Sequence, residues 1–260
     1  MAKFKDMTGL SETNNQGCKM TILKYKNSKD IDIIFSDGTI IKHKSYTSFL
    51  KKSVFNPNNR DVYGIGYFGI GEYNAYDYSN NKKINHKEIY EVWRNMFERC
   101  YANRENYKNW DSYKDVFVDK SFHCFQDFSS WYNDNKWINN IKLCLDKDIL
   151  KKGNKIYSKD TCILVPQDIN KLFIKNNKAR NGLPIGVSLS KDGKYRARYK
   201  KNNKEISLGT YANEIDAFLA YKKEKENHIK QVADDYANKY PNFPKRLYDA
   251  MYNYEVEITD

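Results

Sequence analysis

Lys194-Tyr195-Arg196-Ala197-Arg198-Tyr199-Lys200 alternates cations with apolar or aromatic residues without a break. In a β-strand successive side chains point to opposite faces. The stretch therefore predicts a strand with Lys194, Arg196, Arg198 and Lys200 on one face and Tyr195, Ala197 and Tyr199 on the other. A solvated face normally mixes its charges; this one is uniformly positive and holds two of the chain's eight arginines. The planar fork of arginine can reach a phosphate or a guanine edge with two hydrogen bonds, so the pattern points to nucleic acid.

The flanking sequence extends the strand into a sheet. Ile185 to Leu189 and Glu205 to Gly209 read as two further short strands, joined to the first by turns at Lys191-Asp192-Gly193 and at Lys201-Asn202-Asn203-Lys204. Lys201 and Lys204 in the second turn add to the expected nucleic-acid-binding set. Asn213 is suited to cap a following helix, with Asp216 in its first turn. Ala217, Phe218, Ala220 and Tyr221 then form the side that covers the sheet. This unit is expected over 179–237, with 238–260 a C-terminal tail.

Ile185-Gly186-Val187-Ser188, Gly193 to Arg198, Leu208-Gly209-Thr210-Tyr211 and Ala217-Phe218-Leu219-Ala220-Tyr221 together resemble the AP2 domain of plant transcription factors and phage-type homing endonucleases. The resemblance implies a three-stranded antiparallel sheet that enters the major groove of duplex DNA.

The segment 86–178 has a different texture. Ile89, Trp93, Met96, Phe97 and Cys100 recur at three-to-four spacing, which predicts an amphipathic helix over His86 to Tyr101. Phe122, Phe125, Phe128, Trp131 and Tyr132 repeat the pattern, short strands and turns are expected over Leu143 to Pro166, and another helix begins at Asp168. Tyr90 to Met96, Arg99-Cys100-Tyr101, Phe122 to Trp131, Leu145 to Ile149, Tyr157-Ser158 and Cys162 to Pro166 resemble the HNH-related proteins of phages and mobile elements, in which an AP2 domain often follows.

HNH chemistry needs a histidine to activate water and acidic or amide ligands to hold a divalent metal against the phosphate. By resemblance, the Asp-His pair of active enzymes falls at Asp146-Lys147, so a lysine stands where the base should be, and Thr161, with Asp160 beside it, falls where a second ligand is usual. A lysine with an ordinary pKa is protonated at neutral pH and cannot accept the proton. His123 is the candidate to supply the missing base, with His86 a second; Asp146 and Asp148 are the candidate ligands for Mg²⁺ or Mn²⁺, sharing a face if both lie on one strand. The expected middle domain is nuclease-derived and degenerate.

Residues 1–60 are strand-rich. Met20 to Tyr25, Asp30 to Phe35 and Thr39 to His43 read as strands, the last two joined by a Ser36-Asp37-Gly38 turn. The pattern predicts a small β-barrel-like, SH3-like unit or a curled sheet. The connector 61–85 carries Gly64, Gly66, Gly69 and Gly71 among Tyr63, Tyr67, Phe68 and Tyr73. It matches GxGxxG in letters but lacks the βαβ context of a dinucleotide site. Aromatics packing over glycine turns are expected instead.

The whole chain is thus expected to be multidomain α+β. Its 260 residues, 40% hydrophobic content and net charge of +12 fit a folded protein with polyanionic partners, although lysine, asparagine, tyrosine and isoleucine are also favoured by AT-rich coding. Five cysteines without a CxxC pair argue for reduced thiols, and no apolar run suggests a signal peptide or membrane span, so a cytoplasmic location in the host cell is expected. Three functions follow. The first is a DNA-binding protein on a degenerate HNH scaffold. The second is an active metal-dependent nicking enzyme. The third is an anti-defence inhibitor that binds a host protein complex.

Overall fold

The computed structural model describes residues 5–79, 82–103, 113–174, 182–201 and 204–260, with the backbone alone at 78, 79 and 82–86. The fold is mixed α+β and divides into two compact units, Met1–Trp131 and Tyr132–Asp260.

The first unit begins with an antiparallel meander of β1 (Ser11–Thr13), β2 (Lys19–Asn27), β3 (Asp30–Phe35) and β4 (Ile40–Lys44), in that spatial order. Strict alternation in β3 buries Ile31, Ile33 and Phe35 and leaves Asp30, Asp32 and Ile34 half-exposed. These buried residues pack with Met20, Ile22 and Val54 and with Phe49 of α1 (Tyr46–Leu50), which Ser45 caps. The sheet is open: among the described residues β1 and β4 are free edges, so the barrel-like closure expected from strand count is not formed. Strand length and number are readable locally, but closure depends on shear and stagger between first and last strands.

The connector packs closely at Gly66, Gly69 and Gly71, but aromatic rings are the near neighbours at Gly66 alone, with Cys124 and Gln126 against the other two and open space at Gly64. A side chain at Gly66 would press on the Trp93 and Phe97 rings, and one at Gly71 would collide with the Gln126 amide. Tyr67 bonds through its backbone to the His123 carbonyl and the Phe125 N–H. The hairpin β5 (Tyr76–Ser79) and β6 (Lys82–His86) leads into α2 (Glu88–Tyr101), which buries Trp93, Met96, Phe97 and Cys100. A short strand β7 (Phe117–Val118) and a 3-10 turn at Lys120–Phe122 precede α3 (Phe125–Asn135), which runs from the first unit into the second. Trp93 donates its indole N–H to the Phe122 carbonyl at 2.8 Å, which satisfies a polar atom inside the aromatic core.

In the second unit β8 (Leu143–Asp146) pairs antiparallel with β10 (Ile163–Pro166), with the two-residue β9 (Ile156–Tyr157) between them in sequence and α4 (Gln167–Leu172) following. β11 (Val187–Leu189), β12 (Tyr195–Lys201) and β13 (Lys204–Tyr211) form a three-stranded antiparallel sheet. α5 (Glu214–Lys239) opens at an Asn213 cap whose side chain accepts the Asp216 N–H at 2.9 Å.

α5 is longer than the sheet it covers, and its two halves serve two cores. Ala217, Phe218 and Tyr221 pack on Val187, Ala197 and Tyr199, whereas Ile229 and Ala233 join Ile149, Ile163, Val165 and Ile169. Leu247 and Met251 of α6 (Lys245–Tyr252) complete that second cluster and are fully buried, as is Val256 against the sheet. The segment expected as a tail is therefore part of the core. Its apolar residues are spaced too sparsely among tyrosines and charges to announce burial.

Candidate nucleic-acid interface

The middle strand β12 is built as its alternation predicts. Arg196, Arg198 and Lys200 are exposed, Ala197 is fully buried and Tyr199 nearly so. Lys194, just before the strand, is exposed as well. Across the sheet Arg196 sits opposite Ser188 of β11 and Thr210 of β13, and Arg198 opposite Ser207. The cross-strand partners of these two arginines are thus small hydroxyl residues that leave room for a long cationic side chain. Arg198 is held by Glu205 at 2.9 Å, an exposed pair that stabilises little and is readily exchanged for a phosphate.

A bulge shifts the register between Ala197 and Arg198, where Ala197 faces Gly209 and Arg198 faces Ser207. The extra residue, Leu208, is half-buried against the α5-facing core. Beneath the sheet Tyr199 hydrogen-bonds Nδ1 of His228 on α5 at 2.7 Å, and burial pushes the phenol up to about 12. His228 lies seven residues after Tyr221, two helical turns along the same face; that spacing was the available signal for it, and sequence reading missed it.

The two turn lysines part company. Lys204 is exposed, but Lys201 falls on the inner side of the alternation and reaches α5, 3.0 Å from Gln231 and 3.8 Å from Glu224. Its amine is therefore not presented beside Arg196 and Arg198. Asn202 and Asn203 lie outside the described residues.

The nuclease-like residues take structural roles. The strand β8 ends at Asp146, so Asp148 lies in the following turn and the two carboxylates do not share a strand face. One Asp146 oxygen accepts the backbone N–H groups of Asp148 and Ile149, both at 2.7 Å, and ties that turn. Burial raises the Asp146 pKa against the lowering effect of those two bonds. Lys147 is only 5% exposed; its amine donates to Asp148 at 2.6 Å and to the Asn154 carbonyl at 2.8 Å. Thr161 hydrogen-bonds the Ile156 carbonyl at 2.7 Å and Ser158 at 2.9 Å, while Asp160 is exposed.

Asp146 and Asp148 are not brought together as a ligand pair. The Lys147 amine pairs with Asp148, and one of the two Asp146 oxygens is taken by backbone donors. Among the described residues the carboxylate and histidine atoms that converge are Asp30, Asp32 and His43 in the first unit, and there Lys26 lies 2.9 Å from Asp30. His123 holds its Nε2 3.0 Å from the Val118 carbonyl, which requires the proton on that nitrogen, and its ring packs near Phe97. The side chain of His86 lies outside the described residues.

No protein-family model matches the chain, and comparison with curated proteins and with solved structures finds no match. The likenesses to AP2 and HNH proteins are carried by the residues named for them alone. Among the described residues no helix is long and apolar enough to cross a membrane.

Proposed function

We propose that this protein binds duplex DNA through the outer face of β12, using Lys194, Arg196, Arg198 and Lys200, with Lys204 at the edge. The observation that carries the reading is the row of exposed cations along that face of β12, set among Ser188, Ser207 and Thr210 with Glu205 the acidic neighbour, while the apolar side packs on α5. The AP2 resemblance of the same residues points the same way, to a sheet laid in the major groove.

The HNH resemblance adds an origin in a phage or mobile element, on a scaffold that holds DNA without cutting it. Supporting the loss of cutting are the buried Lys147 amine at the base position and the turn-capping role of Asp146. The test is titration of fluorescent duplex DNA at several salt concentrations. Arg196→Ala with Arg198→Ala should weaken binding and reduce the slope of log affinity against log salt by about one for each phosphate no longer neutralised. Wild-type affinity and slope in the double variant would refute the assignment.

A further inference from the structure

The first unit contains a pocket of about 400 Å³ that is lined neither by the three-stranded sheet nor by Asp146, Lys147 or Asp148. Its walls are aromatic: Phe55, Phe68, Tyr76, Tyr90 and Trp93. Phe55 and Phe68 meet edge to face with centroids 6.0 Å apart, while Tyr90 lies 6.2 Å from Tyr76 and 5.7 Å from Trp93. Phe55 is 47% exposed, so one side of the pocket is open to solvent.

Asp61 is the charged residue of the lining, and no lysine, arginine or histidine lines the pocket among the described residues. Its carboxylate accepts a hydrogen bond from the neutral Gln16 amide at 3.0 Å. The faces of aromatic rings carry negative potential, and a carboxylate beside them adds to it. The Tyr90 pKa is raised by burial first and then by Tyr76 and Asp61, against a lowering effect of Arg94. The Asp61 carboxylate disfavours an anion or a phosphate-bearing nucleotide here, and the ring faces together with that carboxylate favour a compact organic cation.

We infer that this pocket is a receptor for an organic ammonium ion of side-chain size, with the rings of Phe55, Tyr76 and Tyr90 around the cation and the Asp61 carboxylate as its counter-charge. The inference does not depend on the DNA reading, since it concerns a different unit and a ligand of opposite charge. Two sources share this chemistry: a free quaternary amine and an alkylated lysine on a protein.

The test is calorimetric titration of the full chain with choline and with 3,3-dimethylbutan-1-ol, its uncharged carbon analogue of the same shape. Choline should bind about tenfold or more tightly than the analogue. Asp61→Asn, which keeps an oxygen for Gln16, should remove that preference. Equal binding of choline and the neutral analogue, or tighter binding of thymidine than of choline, would overturn the proposal. Tighter binding of a trimethyllysine peptide than of choline would support the pocket and identify a protein source, whereas equal affinities would support it and identify a free amine.

Discussion

The phenol oxygen of Tyr199 lies 2.7 Å from Nδ1 of His228 and ties the middle strand of the three-stranded sheet to the helix beneath it. Both residues are nearly buried. Burial pushes the Tyr199 pKa to about 12, so the phenol keeps its proton at physiological pH and the His228 tautomer sets which group donates. The strand that carries the cationic face is thus anchored to a histidine on the opposite side of its sheet.

That anchor predicts a pH response. Burial, and then Lys201, lowers the His228 pKa below its ordinary value. An unfolded chain therefore binds a proton at this site before the folded one does. The stability contribution is complete above about pH 6.5 and is lost as pH falls through the folded value. Thermal midpoints from pH 7.5 to 5.5 should decline in the wild type and less steeply in His228→Gln. Equal slopes would show that another group carries the response.

Gly186 and Gly193 should separate two costs of adding a methyl group. Both have left-handed backbones, with φ of +77° and +76°. At Gly193 the space is open, so Gly193→Ala should cost about 1–2 kcal/mol for the backbone alone. At Gly186 the new carbon would collide with the Tyr221 ring, so Gly186→Ala should cost more. Denaturant midpoints would rank the two, and Tyr221→Ala combined with Gly186→Ala should be less damaging than the sum of the separate changes.

Lys147 should prove a structural residue. Lys147→Met leaves the buried Asn154 carbonyl without its donor and Asp148 without its counter-ion. A loss of roughly 1–3 kcal/mol is expected from the orphaned carbonyl. Supercoiled plasmid should remain intact with the wild-type protein in Mg²⁺ or Mn²⁺, and removing metal with EDTA should leave duplex affinity unchanged. Metal-dependent nicking abolished by Asp146→Ala would reverse this view of the scaffold.

α6 should be indispensable to the second unit. Leu247 is fully buried against the cluster containing Ile163, Val165 and Ile229. Leu247→Ala should cost about 2–5 kcal/mol, measured by denaturant unfolding. A cost near zero would mean that α6 is not packed as described.

Much of the fold was legible because the deciding patterns are local. The alternation from Lys194 to Lys200 set the two faces of β12, three-to-four spacing marked α2, and Asn213 marked the start of α5. Even the connector glycines declared close packing, although the identity of their neighbours did not follow from their spacing.

Where a side chain finds its partner was decided by tertiary structure. Lys201 looks like one more cation of a basic turn until α5 brings Gln231 and Glu224 to it. Asp146 and Asp148 look like a ligand pair until β8 ends between them and Lys147 closes on Asp148. The open edges of the N-terminal sheet, the burial of α6 and the gathering of Phe55, Asp61, Tyr76 and Tyr90 around one pocket likewise join positions distant in sequence. The sequence by itself determined the cationic face of β12, because strand geometry repeats every two residues. Only the folded chain decided which charges remain available, because neutralisation depends on contacts that no local period encodes.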